Sequence, residues 1–71
     1  MSLEDISNMI IDLDMDNIAG AVQKYLDSGS SPYDILNALT AGMDEVGRRY
    51  ESNEYFLTEL VLAGETMKEA F

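Results

Sequence analysis

The segment SPYDILNALTAGMDEVGRRY, residues 31–50, carries the clearest structural signal in the chain. Ser31 is a good N-terminal cap for a helix, and Pro32 suits the first helical position because its missing N–H is not needed there. Asp34 follows at the third helical position, where a carboxylate is favourable. Apolar residues then recur at steps of three and four as far as Tyr50. The segment therefore predicts one long amphipathic helix.

Two shorter helices are predicted before this segment. The apolar residues of the first share one face: Leu3, Ile6, Ile10 and Leu13. The second begins after Asp14 or Asp16, either of which can cap it. Its apolar stripe consists of Ile18, Val22, Tyr25 and Leu26. Gly29 then suits the left-handed position that commonly ends a helix.

A last helix is predicted from about Thr58 to the C-terminus. Asn53 can adopt the left-handed conformation between this helix and the preceding one. The larger residues of the last helix, with its glycine, are expected on one face: Leu57, Leu60, Val61, Gly64, Met67 and Phe71.

No segment shows sustained alternation between apolar and polar residues, and β-branched residues are sparse. We therefore predict an all-α fold, a small antiparallel four-helix bundle that forms one domain over residues 1–71. A glycine inside a helix costs about 1 kcal/mol relative to alanine, so we expect the third helix to have a kink or a short break near Gly42. A bundle of this size has little reason to place large apolar residues outside its own core.

The composition excludes several classes of function. The 71 residues include 4 basic and 14 acidic side chains, a net charge of −10 that repels nucleic-acid phosphates and anionic membranes. Cysteine is absent, which excludes a disulfide, and histidine is absent, which removes the commonest metal ligand and the commonest general base. We therefore expect neither a metal site nor a catalytic residue. The chain is not expected to be an enzyme on its own. The N-terminal residues lack the cationic and apolar regions of a signal peptide, which favours a cytoplasmic location.

Three motifs in the second half of the chain resemble a known family: GMDEVGRRY (42–50), NEYFLTELV (53–61) and AGETMK (63–68). Together with SPYDILN (31–37) they are similar to the helical cap domain of corrinoid-binding methyl-transfer proteins, such as the corrinoid proteins of methanol and methylamine systems and the matching module of cobalamin-dependent methionine synthase. The resemblance covers essentially the whole chain. One departure is Thr58, where the family usually has proline, and this affects only the expected start of the last helix.

The resemblance implies that the chain is a lid over the upper, methyl-bearing face of a corrinoid. The family's corrinoid-facing positions fall on Tyr50, Leu57 and Leu60, with Phe56 beside them. The cobalamin would be bound by a Rossmann-like domain that this chain lacks, in cis or in trans, and the isolated chain is expected to bind little or none. A methyltransferase subunit is the further partner that the resemblance implies.

The same residues also allow other interpretations. Aromatic and leucine residues at helical spacing also occur in ordinary helix cores, without a cofactor. The chain could be a cofactor-free interaction module, and exposure of the same residues could produce a homodimer. Asp27-Ser28 is similar to the modified site of acyl carrier proteins. That interpretation is weaker, because Ser28 ends a helix here and does not begin one.

Overall fold

Four α-helices make up the computed structural model, which describes residues 2–71; Met1, part of the N-terminal segment considered above, lies outside the described residues. They are α1 (Glu4–Ile11), α2 (Met15–Asp27), α3 (Pro32–Glu51) and α4 (Leu57–Glu69), and no strand occurs between residues 2 and 71. The predicted all-α four-helix fold is confirmed. With 20 residues, α3 is about 30 Å long and accounts for most of the 37 Å long axis. Within these residues no helix combines the length and apolar character needed to cross a membrane.

The start of α3 has the predicted cap. The Ser31 hydroxyl oxygen accepts a hydrogen bond from the backbone N–H of Tyr33 at 3.2 Å, and Pro32 occupies the first turn. A cap of this kind contributes about 1 kcal/mol to stability. Local sequence signals therefore fix where the longest helix begins.

The expected break near Gly42 is wrong, because α3 runs without interruption from Pro32 to Glu51. Gly42 is buried where α1 crosses α3, and a Cβ atom there would lie 2.7 Å from Ile10 Cβ and 2.8 Å from the Ser7 carbonyl oxygen. The Ser7 hydroxyl donates to the Ala38 carbonyl oxygen at 2.6 Å, one turn away along α3. The glycine thus permits close helix packing and does not interrupt the helix.

Both predicted left-handed residues are confirmed. Gly29 has φ +96° after α2, and Asn53 has φ 67° after α3. In the first of these turns the Ser30 N–H donates to the Tyr25 carbonyl at 3.0 Å, which satisfies a backbone acceptor that the helix end would otherwise leave free.

The end of α1 differs from the prediction. Leu13 was expected on the face of the first helix, but α1 ends at Ile11 and Leu13 has the left-handed φ of 60°. Its side chain still packs against the core. Asp14 precedes α2 as predicted, but its carboxylate accepts from the Asn17 side-chain amide at 3.0 Å and makes no bond to a backbone N–H.

All four helices contribute to one core, whose buried apolar members are Ile6, Ile10, Ile18, Val22, Tyr25, Ile35, Leu39, Val46, Ala63 and Ala70. The Tyr25 hydroxyl donates to the Ser2 carbonyl, and it lies 3.2 Å from an Asp5 carboxylate oxygen. Burial, and then the nearby Asp5 carboxylate, raise the pKa of Tyr25 above its usual value. This tyrosine therefore fixes the N-terminus of α1 to the end of α2.

Candidate functional site

The helix α4 packs with its small side chains inward and several of its large ones outward. Its buried residues are Ala63, Thr66 and, just after the helix, Ala70. Leu57 and Val61 are both exposed. The apolar face predicted for this helix is therefore not its buried face, because the small residues on another side of α4 pack against the core instead. An apolar surface remains on the outside of the bundle.

Further exposed apolar residues lie at and beside the turn between α3 and α4. The corner patch, as we call it, consists of Tyr50, Phe56, Leu57 and Val61, which are 41%, 65%, 62% and 57% exposed. Three of these four residues were predicted as site residues. Leu60, the fourth predicted residue, is only partly exposed and packs against the core. Val61 was placed on an apolar face by the sequence but was not predicted as a site residue.

Two helical glycines share the faces that carry the corner patch. Gly47 lies one turn before Tyr50 on α3, and Gly64 lies one turn after Val61 on α4. An added Cβ would meet nothing within 4 Å at either position. Each glycine costs roughly 1 kcal/mol relative to alanine, and packing within the chain explains neither of them. Both leave the backbone accessible from outside beside the patch.

One aromatic residue of the corner points inward and holds the turn. The Tyr55 hydroxyl donates to the Ile11 carbonyl oxygen at 2.6 Å and accepts from Arg49 Nη1 at 3.2 Å. The Arg49 guanidinium lies 5.3 Å from the centre of the Tyr55 ring. Sequence reasoning assigned Tyr55 no role, because the sequence does not indicate which of the adjacent aromatic residues Tyr55 and Phe56 faces inward.

Glu45 completes this arrangement on α3. One of its carboxylate oxygens lies 2.5 Å from Arg48 Nη2 and the other lies 2.9 Å from Arg49 Nε. Hydrogen bonds from Arg48 and then Arg49 lower the pKa of Glu45. Hydrogen bonds to Glu45 and then to Tyr55 raise the pKa of Arg49. Both arginines are thus partly neutralised by a carboxylate on their own helix.

A second apolar surface lies at the opposite end of the bundle. A groove of about 230 Å³ is lined by residues of α2, α3 and the C-terminus: Val22, Leu26, Pro32, Ile35, Leu36, Leu39, Ala70 and Phe71. This distal groove is separated from the corner patch by most of the length of α3. It provides a control surface for experiments on the patch.

The corner patch offers mainly apolar contact. Its members are three hydrocarbon side chains and a phenol, and the nearby Glu59 carboxylate accepts the Phe56 backbone N–H at 3.1 Å. Between residues 2 and 71 no group of three or more carboxylate, histidine or cysteine side chains is arranged to hold a metal ion. The patch can exclude water from an apolar ligand, and its exposed side chains offer no imidazole or thiol to ligate one.

Comparison with known proteins identifies the family. The family model described as a B12 binding domain matches residues 2–71 of this chain. Monomethylamine corrinoid protein 1 of Methanosarcina mazei is 34% identical over 68 residues, which is 94% of this chain and 31% of the relative. Monomethylamine corrinoid protein 2 of the same organism is 35% identical over 66 residues, 92% of this chain and 30% of the relative.

The chain thus spans about a third of the length of these relatives. No solved structure matches it. The family match covers essentially every residue, including the corner patch and both glycines beside it, and it confirms the resemblance found in the sequence. The chain belongs to the B12 binding domain family.

Proposed function

We propose that this chain is the cap of a corrinoid protein, and that its corner patch covers the upper face of a corrinoid held by another domain. The observation that carries the proposal is the arrangement of α4, which buries alanine and threonine and exposes leucine and valine. A domain this small needs its large apolar residues in the core, and the ones that are exposed do not contribute to that core. Such a patch marks a surface that is covered in the working protein.

The residues of the patch fit a flat, largely apolar ligand. Tyr50, Phe56, Leu57 and Val61 offer rings and branched aliphatic groups. Gly47 and Gly64 would let a broad ligand approach the helix backbones, since no side chain of the chain itself fills the space that a Cβ would take. The chain contains no histidine, so a second domain has to supply any histidine ligand to the cobalt.

The role of the patch would be steric. When bound, a corrinoid supplies a cobalt atom that can carry a methyl group. The hydrocarbon groups of Leu57 and Val61 would exclude water from that face, and they bring no nucleophile close to it. Exchange between a covered and an uncovered arrangement would then control access to the cobalt. The chain itself would perform no catalytic step.

The names of the relatives suggest the wider setting. They are monomethylamine corrinoid proteins, so we propose that this chain acts in corrinoid-dependent methyl transfer. Its partners would be a Rossmann-like corrinoid-binding domain, in cis or in trans, and a methyltransferase subunit. The cofactor would be cobalamin or a related corrinoid, bound only together with that domain. A cytoplasmic location is part of the same proposal.

Chemical-shift mapping tests this proposal. We expect the amide signals of Tyr50, Phe56 and Leu57 to shift when the labelled chain is mixed with a corrinoid-binding domain loaded with methylcobalamin. Signals of Leu36 and Phe71 in the distal groove should stay unchanged. Free methylcobalamin alone should cause little change, because the chain supplies only one face of the site.

Shifts confined to the distal groove, or no shifts when the loaded domain is added, would contradict the proposed cap. Corner-patch shifts that grow with the concentration of the chain alone would favour the other open interpretation, a cofactor-free homodimer through the same surface.

A further inference from the structure

We infer that Arg49 and Tyr55 are positioning residues that hold the α3–α4 turn so that Phe56 and Leu57 project outward. The inference rests on the proposed function for its purpose, but the positioning itself is a property of this chain. Tyr55 and Phe56 are neighbours with opposite roles, since Tyr55 is partly buried and hydrogen-bonded whereas Phe56 is 65% exposed. Fixing the first ring inward determines the direction of the second.

The Tyr55 hydroxyl completes the C-terminal end of α1. The last four carbonyl groups of a helix lack partners within it. In α1 the carbonyls of residues 8–10 accept from the backbone N–H groups of residues 12–14 at 2.8–3.2 Å. The carbonyl of Ile11, the last residue of the helix, accepts from Tyr55. The hydrogen bond from Tyr55 to Ile11 thus joins the α3–α4 turn to α1, between residues 44 positions apart. The same hydrogen bond satisfies the last carbonyl group of α1.

Arg49 holds the same turn through both its backbone and its side chain. Its carbonyl oxygen accepts from the N–H groups of Glu54 and Tyr55, at 2.8 and 2.9 Å. Its guanidinium reaches the Tyr55 hydroxyl and lies over the Tyr55 ring. Glu45 fixes the other side of that guanidinium through Nε. A planar group with several donors can serve Glu45 and Tyr55 together, which a lysine ammonium at the same place cannot do equally well.

The neighbouring arginine provides a matched comparison. Arg48 also pairs with Glu45, but its side chain is 73% exposed and makes no hydrogen bond to Tyr55. Tyr25 provides a second comparison, because its hydroxyl also donates to a backbone carbonyl oxygen, but at the opposite end of the bundle. If the corner network acts locally, variants at Arg48 and Tyr25 should leave the turn intact.

The experiment compares Tyr55→Phe and Arg49→Lys with the controls Tyr25→Phe and Arg48→Lys, all in the full 71-residue chain. Amide hydrogen exchange at Glu54, Tyr55 and Phe56 is measured together with global stability. We expect Tyr55→Phe to speed exchange at these amides by about tenfold relative to the rest of the chain, because the turn loses two hydrogen bonds. Arg49→Lys should cause a smaller increase, and the two controls none that is local to the turn.

Unchanged exchange in Tyr55→Phe would overturn the inference, and so would an equal local increase in Tyr25→Phe. A separate readout distinguishes failure of the proposed function from failure of this inference. The variants are also mixed with a corrinoid-binding domain loaded with methylcobalamin, and photolysis of the cofactor is followed. Local loosening with faster photolysis supports both ideas. Local loosening with unchanged photolysis supports the positioning and contradicts the cap.

Discussion

Replacing Gly42 with alanine is expected to lower the free energy of unfolding of this chain by about 3 kcal/mol. The new Cβ would lie 2.7 Å from Ile10 Cβ and 2.8 Å from the Ser7 carbonyl oxygen, so α1 would have to move away from α3. In a domain of this size such a loss corresponds to a fall in Tm of about 12–24 °C. Thermal unfolding followed by circular dichroism at 222 nm measures it directly.

Gly47→Ala is the matched control within the same helix. A Cβ at Gly47 meets nothing within 4 Å, so the variant should gain up to about 1 kcal/mol from better helix propensity. Opposite signs for the two substitutions would show that Gly42 is required for packing against α1. A Gly42→Ala chain as stable as the Gly47→Ala chain would contradict the observed approach of α1 to α3.

The second large effect is expected in a corrinoid protein whose corner patch is truncated. The protein is a chimera, monomethylamine corrinoid protein 1 of Methanosarcina mazei with its matching segment replaced by this chain. The change is Phe56→Ala together with Leu57→Ala. Burying one such side chain is worth about 1.5–3 kcal/mol. Because only about two thirds of each side chain is exposed before it is covered, the double variant should lose at least about 2 kcal/mol, which corresponds to at least roughly a 30-fold shift toward the uncovered arrangement. Photolysis of bound methylcobalamin should accelerate accordingly, up to the rate of the uncovered cofactor.

Two controls separate an effect on the shielding of the cofactor from an effect on the folding of the domain. Both residues are largely exposed in this chain, so the same double variant of the isolated domain should unfold within about 0.5 kcal/mol of the original. Leu36→Ala, in the distal groove, should leave photolysis unchanged. Equal photolysis rates in the original chimera and the double variant would argue against a cover formed by these residues.

The local signals in the sequence predicted the start of α3 and the ends of α2 and α3 well. Ser31 with Pro32 begins α3, and Gly29 and Asn53 take left-handed conformations as expected. These features depend on a few neighbouring residues, so a linear pattern contains the information. The left-handed conformation of Leu13 was not predicted, because leucine rarely adopts it and no local pattern indicates it there.

Features that depend on distant residues could not be predicted. Gly42 was interpreted through helix propensity, but its role comes from Ile10 and Ser7 on another helix. The turn contains two adjacent aromatic residues, and the one that faces inward, Tyr55, is hydrogen-bonded to Ile11 and to Arg49.

The orientation of α4 was ambiguous for a related reason. Apolar residues occupy most sides of this helix, so periodicity did not identify the buried side. Alanine and threonine line its inner face, and their size matters only in relation to the helices they contact. The family resemblance nevertheless pointed to Tyr50, Phe56 and Leu57, which are all exposed.

The most direct test of the cap is a distance measurement from the metal. The labelled chain, in complex with a corrinoid-binding domain, is studied with the cobalt in its paramagnetic Co(II) form and compared with a diamagnetic Co(III) form. Paramagnetic broadening falls steeply with distance, and the two ends of α3 are about 30 Å apart. We predict strong broadening of the amide signals of Tyr50, Phe56 and Leu57, with those of Leu36 and Phe71 retained. Broadening centred on the distal groove, or absent throughout, would contradict the cap.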